Sequence, residues 1–354
     1  MSFFHGGDIY TASNLLTCRP RDIIDFSAST VPFPLPIFLR ALLPFHDISS
    51  YPDPKYTCLV NSISNLHSIS PEFIIPGNGA SELITWCGKE SKLLGTSLLL
   101  QPAYSDYERA LRLWECPFFN HELPLDWSSS YFDTPPNLPP TDVIWITNPH
   151  NPTGRLWRPK DLYNFLSHYR LVIVDESYLP FVHKGEDLSF IHLVPNYSNL
   201  IVIRSLTKVF GLAGLRIGYA ITQPHRLSQW RIWRDPWPLN TYAYYLASNL
   251  LNDISYYHNW ISSLQTWASR EHTNFELSIR DITALQCMPS SANFCLLKGT
   301  HSLATLRNYL LHSHRVLVRD CSSFMGLDDS WIRISYKTLK LNTKLILLLK
   351  SYFA

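Results

Sequence analysis

Lys208 lies just beyond an apolar run, Leu200-Ile-Val-Ile203, inside the segment Ser205-Leu-Thr-Lys208-Val-Phe-Gly-Leu-Ala-Gly214-Leu-Arg216-Ile-Gly218-Tyr219. A lysine taken alone is a solvated surface charge. Here a strand end delivers a hydroxyl, an amine and then a guanidinium set among glycines, the parts needed to hold a phosphorylated aldehyde through a Schiff base. The aldehyde that matches them is pyridoxal 5′-phosphate (PLP), with Lys208 as the attached amine and Ser205 and Arg216 at the phosphate.

Asp175 ends a second apolar run, Leu171-Val-Ile-Val174, and is followed by Glu-Ser-Tyr178. A carboxylate there can be a helix cap or a loop charge. The nitrogen of a pyridine ring, however, needs such a partner to stay protonated, and only the protonated ring withdraws electrons well. Asn151, in Asn148-Pro-His-Asn-Pro-Thr-Gly154, has turn chemistry as a sufficient explanation. Its amide could instead donate to the ring's phenolic oxygen, with Tyr178 as a second donor. Tyr104, in Gln101-Pro-Ala-Tyr104, can pack in a core or stack on the ring face.

Upstream, Pro76-Gly-Asn-Gly79-Ala-Ser81-Glu82 precedes an apolar-spaced stretch through Cys87 that predicts a helix. Helix ends opened by glycine present N–H groups and a dipole to a phosphate, which makes Gly79 and Ser81 candidates beside Ser205 and Arg216. Arg216, between Leu215 and Ile217, is expected to be buried and to need an anion. Arg333, between Ile332 and Ile334, poses the same demand, although a strand of alternating faces could turn it to solvent. His312-Ser-His314 is an isolated pair, and no metal site is expected.

These residues need a common scaffold. Four short apolar runs, Ser97–Leu100, Val143–Ile146, Leu171–Val174 and Leu200–Ile203, are continuous rather than alternating, as in strands of a parallel sheet covered on both faces. An α/β core follows. Open α/β sheets bind ligands at the carboxyl ends of their strands, so the polar tails after these runs converge on one crevice. At 354 residues, two domains are expected. Asp235-Pro-Trp-Pro238 breaks the pattern before a long helical stretch from Asn240 to Glu276. The expected division is therefore 1–44 as an N-terminal arm and part of the small domain, 45–235 as the large domain and 236–354 as the small one. Strands are predicted at Asn293–Leu297 and Trp331–Ser335, and a surface loop at 126–141, which holds Thr134-Pro-Pro and Leu138-Pro-Pro.

The net charge of +2, from 30 basic and 28 acidic residues without blocks of one sign, shows neither a nucleic-acid footprint nor a membrane patch. Seven cysteines, an odd number without C-x-x-C spacing, predict reduced thiols rather than a disulfide framework. The N-terminus lacks a basic segment and a sustained apolar stretch, and Leu345–Leu349 is too short to span a bilayer, so a soluble cytoplasmic protein is expected.

With these motifs the chain resembles fold-type I PLP enzymes of the class I/II aminotransferase family over nearly its whole length. The asparagine, aspartate and lysine segments around Asn151, Asp175 and Lys208 stand in the family's order and approximate spacing. The resemblance implies the aspartate aminotransferase-like fold, with a large domain built on a mainly parallel sheet and a smaller α/β domain. Within the family, the chain is similar to the threonine-phosphate decarboxylase branch of cobalamin biosynthesis, a close relative of the histidinol-phosphate aminotransferases. The segments that carry this are His5-Gly-Gly-Asp-Ile9, Asp25-Phe-Ser-Ala28, Tyr51-Pro-Asp53, Arg204-Ser-Leu-Thr-Lys208, Pro236-Trp-Pro-Leu-Asn240 and Arg319-Asp-Cys-Ser-Ser-Phe-Met-Gly-Leu-Asp328.

By that resemblance, Ala80 joins Gly79, Ser81, Ser205 and Arg216 in a phosphate cup. Tyr51 reaches the cofactor phosphate of a neighbouring subunit, which implies a homodimer. Arg333 is matched to the substrate carboxylate and Arg319 to a substrate phosphate, while His5 becomes a lid residue. Ser27-Ala-Ser-Thr-Val-Pro32 departs from the branch's Ser-Ala-Asn-Ile-Asn-Pro, with Ser29 and Val31 in place of asparagines. The substrate is therefore left as threonine phosphate, serine phosphate or another phosphorylated amino acid. PLP breaks whichever bond stands perpendicular to its ring, so binding orientation decides the reaction. Decarboxylation is the expected reaction, giving (R)-1-aminopropan-2-yl phosphate or ethanolamine phosphate. An aminotransferase is the alternative. A non-catalytic PLP-fold binding protein is a third reading, against which the presence of Lys208 and Asp175 speaks.

Overall fold

The computed structural model describes residues 5–34, 36–42, 48–133 and 138–354. The Thr134-Pro-Pro part of the expected loop and the expected boundary near residue 44 lie outside the described residues. The strands, numbered in chain order, begin with β1 (Ile24–Asp25), β2 (Ile74–Asn78), β3 (Ser97–Gln101), β4 (Phe118–Glu122) and β5 (Val143–Thr147). They continue with β6 (Leu171–Asp175), β7 (Leu200–Ser205), β8 (Ile217–Ile221), β9 (Leu285–Cys287), β10 (Phe294–Gly299), β11 (Val316–Leu317), β12 (Arg319–Asp320) and β13 (Trp331–Ser335).

Seven of them form one sheet in the order β2-β8-β7-β6-β5-β3-β4. The four apolar runs are β3, β5, β6 and β7, buried along their whole length and mutually parallel. Continuous hydrophobicity follows from cover on both faces. Along β5, Ile144 and Ile146 enter one hydrophobic cluster, while Val143 and Trp145 enter the other. The helices Gly79–Leu94, Ser105–Leu113 and Pro224–Trp233 seal the second face with Leu83, Ile84, Leu111 and Trp230. The helices Thr57–His67, Pro159–His168 and Thr241–Asn252 cover the first.

One strand departs from the parallel reading. β8 is antiparallel to both β2 and β7. Only residues 206–216 separate it from β7, too little chain for a crossover helix, so the backbone turns back at the same edge of the sheet.

The C-terminal part builds a four-stranded antiparallel sheet, β12-β13-β10-β9, which contains both strands predicted there. β1 pairs in parallel with β11, which stitches the N-terminal segment to this part. The helical stretch beyond Asn240 is two helices, Thr241–Asn252 and Ile254–Ile279, rather than one. Asp253 divides them, because its carboxylate caps the second by accepting from Tyr256 N at 2.9 Å. The region of the expected surface loop is anchored inward by the buried Trp127 and Phe132; the latter stacks on Trp157 at 4.4 Å. All seven cysteines are unpaired. Among the described residues, no helix is long and apolar enough to cross a membrane.

Candidate active site

β2, β5, β6 and β7 run in the same direction, so their carboxyl ends share one edge of the sheet, and β8 starts there. Register sets the neighbours: Asn78 opposes Ile217, Ser205 opposes Gly218, and Thr147 opposes Asp175. Gly79, Ser205 and Arg216 therefore meet at adjacent strand ends, with Asp175 on the next strand. A cavity of about 390 Å³ opens at this edge. Its walls include Ala80, Ser81, Tyr104, Asn151, Asp175, Tyr178, Ser205, Lys208 and Arg216, and also His5, Arg319 and Arg333. Gly79 stands directly behind Arg216. Tyr51 is not part of this wall; it is 77% exposed and stacks on Trp237 at 4.3 Å.

Asp175 is buried, and its oxygens are engaged. Ser177 N donates to Oδ1 at 2.9 Å and Tyr107 Oη to Oδ2 at 2.7 Å, with Tyr107 also 2.9 Å from Thr147 Oγ1. Burial pushes this carboxyl above the ordinary range, while the bonds from Ser177 and Tyr107 pull it back toward the ionised form. Tyr107 was not singled out in the sequence. Its signal is position: three residues past Tyr104 in an amphipathic helix, it turns inward beneath that ring, edge-on at 5.6 Å.

Lys208 lies in a single helical turn, Leu206–Val209, directly after β7, and is partly buried. Its carbonyl accepts from Val31 N at 3.2 Å, which ties the lysine turn to the segment after β1. Ala28, Ser29 and Thr30 of that segment also line the cavity. Ser29, at one of the two positions expected to hold asparagine, pairs with Ser335 Oγ at 2.8 Å, and Val31, at the other, is buried in the core.

Gly79 has φ +71°, and a Cβ there would lie 2.7 Å from Arg216 Nη2. Only glycine lets the guanidinium settle against the start of helix Gly79–Leu94. The expectation that Arg216 is buried is corrected: it is exposed. It occupies the left-handed turn, φ +55°, between a short 3₁₀ segment and β8, so its side chain leaves the layer that buries Ile217.

Arg333, by contrast, is buried rather than turned to solvent. It donates to Asn151 Oδ1 and, at 3.1 Å, to the carbonyl of Ser27. With Oδ1 engaged, Asn151 has Nδ2 as its donor end. Arg319 is directly opposite Arg333 in the β12–β13 pair and donates to Ser323 Oγ at 2.8 Å. Burial, reinforced by the charge of Arg333, lowers the Arg319 pKa to about 10. His5 meets Tyr104 edge-on at 5.7 Å.

The family profile described as aminotransferase class I and II matches residues 21–347. The chain belongs to this family. It is 30% identical over 97% of its length to an adenosylcobalamin biosynthesis bifunctional protein of Leptospira interrogans, of which it spans only 40%. It is 27% identical to the threonine-phosphate decarboxylase of Salmonella typhimurium, covering 98% of this chain and 96% of that one. The solved histidinol-phosphate aminotransferase of Clostridium acetobutylicum superposes with a TM-score of 0.84 at 29% identity, covering 93% of this chain and 99% of that one.

Class I and II aminotransferases are PLP enzymes, and PLP is the cofactor of this chain. The residues present fit it. The cavity offers an amine for an aldehyde at Lys208, a buried carboxyl for a ring nitrogen at Asp175, and a flat aromatic wall at Tyr104. At the far end, the first N–H groups of a helix, the Ser205 hydroxyl and the Arg216 guanidinium are gathered within reach of a phosphate, in a cradle that a Cβ on Gly79 would invade.

Proposed function

We propose that this chain is a PLP-dependent carboxy-lyase acting on an amino acid that also carries a phosphate, threonine phosphate or serine phosphate, for the nucleotide loop of cobalamin. The observation that carries the reading is the pair Arg319 and Arg333. Two guanidinium groups directly opposite each other on one sheet face repel, and the arrangement is stabilised by a ligand with two anionic groups. An amino-acid phosphate has a carboxylate and a phosphate; histidinol phosphate has only the phosphate.

In this reading Lys208 holds the cofactor covalently, Asp175 faces its ring nitrogen, and Asn151 and Tyr178 donate to its ring oxygen. Tyr104 covers the ring, and Gly79, Ala80, Ser81, Ser205 and Arg216 receive its phosphate, with Tyr51 serving the second subunit of a homodimer. When bound, the cofactor supplies an electron sink for the pair left on the α-carbon. Arg333 grips the α-carboxylate from one side, and its bonds to Asn151 and Ser27 hold the guanidinium still, so that the carboxylate bond is the one oriented for cleavage. Carbon dioxide leaves and the α-carbon takes a proton in its place, with the Lys208 amine as the nearby carrier. The small domain at 236–354, joined to 1–44, supplies both arginines and the His5 lid over the large domain at 45–235.

The second reading is an aminotransferase, favoured by the likeness to a histidinol-phosphate aminotransferase structure. The holoenzyme is expected to release carbon dioxide from threonine phosphate or serine phosphate without a 2-oxo acid, and far more slowly from threonine. Activity that appears only with 2-oxoglutarate, with the cofactor cycling to its amine form, overturns the decarboxylase reading in favour of the transferase.

A further inference from the structure

Asp106 is a carboxylate in the wall of the cavity that the mechanism above leaves without a task. It is 4% exposed and sits in the first turn of helix Ser105–Leu113. One oxygen, Oδ1, pairs with Arg109 Nε, and Arg109 is itself fixed by Thr85 Oγ1 at 2.9 Å. The other, Oδ2, has no hydrogen-bond partner among the described residues. A cap at the start of a helix explains an acid at this position. It does not explain a buried oxygen without a donor in a cavity whose wall also carries Lys208, Arg216, Arg319 and Arg333.

His5 lines the same cavity. Its arm is held closely: Gly7 N donates to Ser27 Oγ at 2.8 Å, and a Cβ on Gly6 would lie 2.2 Å from the Ser27 carbonyl oxygen. Ser27 is in turn fixed by Asp25 Oδ1, at 2.7 Å from its N and 2.6 Å from its Oγ. That same carbonyl accepts from Arg333. The arm thus carries the imidazole over Tyr104, in the cavity that Asp106 of helix Ser105–Leu113 and Arg319 of β12 also line.

We propose that Asp106 is a positioning residue for His5: its free oxygen holds the imidazole as a donor, so that His5 and Arg319 together receive the phosphate of the substrate. This rests on the reading of the substrate as a phosphorylated amino acid. The charged groups acting on His5 support it. Burial lowers the His5 pKa, and Arg319, Lys208 and Arg109 push in the same direction; among the described residues, Asp106 is the one charge that raises it. Without Asp106, an imidazole among three cations would carry a proton only at lower pH.

The test follows the His5 ring by proton NMR in the PLP-loaded protein, assigned by difference from His5→Gln, with inorganic phosphate as the probe. In the wild type, phosphate is expected to raise the His5 titration midpoint. In Asp106→Asn the midpoint is expected to fall and phosphate binding at neutral pH to weaken about tenfold, the scale of one charge-assisted hydrogen bond. Asp106→Glu is expected to restore both, and in a His5→Gln background Asp106→Asn is expected to have little further effect. A His5 midpoint that Asp106→Asn leaves in place, or equal losses in the presence and absence of His5, overturns the proposal. Should Asp106→Asn fail to fold, Asp106→Ser is read in the same way. Since the probe is phosphate and the readout a ring titration, the result is independent of whether the enzyme decarboxylates or transaminates.

Discussion

Tyr107 Oη donates to Asp175 Oδ2 at 2.7 Å, and so ties the carboxylate at the end of β6 to the helix that begins just after Tyr104. One helix therefore places an aromatic ring on one wall of the cavity and gives the buried acid a bond that offsets part of the upward push of burial. Replacing Tyr107 with Phe removes a bond that lowers the Asp175 pKa, so the acid limb of the turnover profile is expected to move to higher pH. Turnover at neutral pH should fall about tenfold, and Asp175→Asn should retain the cofactor yet lose at least about a hundredfold. A pH–kcat series on the two variants checks both.

Lys208→Ala is expected to abolish the visible absorption of the bound cofactor and to reduce turnover more than about a thousandfold. Borohydride reduction of the wild type followed by peptide mass mapping should leave the cofactor on Lys208. A reduced adduct on another lysine contradicts the assignment.

Gly79→Ala places a Cβ against the Arg216 guanidinium at a backbone φ of +71°. The backbone strain is about 1 kcal/mol, and Arg216 must shift. Cofactor affinity is expected to weaken about five- to tenfold, measured by titrating the cofactor into the apoprotein. Ser81→Ala, which leaves the backbone N–H groups in place, should weaken it less.

Lys337 is buried, donates to the carbonyls of Ala28 at 2.8 Å and Thr30 at 3.3 Å, and has its pKa lowered by burial to about 8, from an ordinary 10.5. Between those two values the unfolded chain binds more protons than the folded one, so this group makes stability rise with pH from about 8 to 10.5. The full contribution is on the order of 3 kcal/mol. Denaturant unfolding of wild type and Lys337→Met at several pH values should show the rise in the first and its loss in the second.

Much of the chemistry was legible in the chain. Continuous apolar runs identify strands covered on both faces because two-sided burial leaves no room for alternation, and Lys208, Asp175 and Asn151 each follow such a run. Tyr107 escaped notice because its value lies in a bond to a residue on another strand. Arg216 was misjudged because its apolar neighbours in sequence say nothing about a left-handed turn that lifts its side chain out of the layer.

The sequence by itself determined the inventory: an amine, an acid, a glycine-opened helix and arginines set among apolar residues, each at the end of a local element that short-range patterning dictates. Only the tertiary structure decided which of these face one another. The reversal of β8 brings Arg216 to Gly79, the register of β12 on β13 sets Arg319 opposite Arg333, and the pairing of β1 with β11 carries Ser27 and His5 to the cavity. The first and last of these join residues far apart in the chain, and even the Arg319–Arg333 pair depends on a strand register, so all are selected by burial of whole faces rather than by local preference.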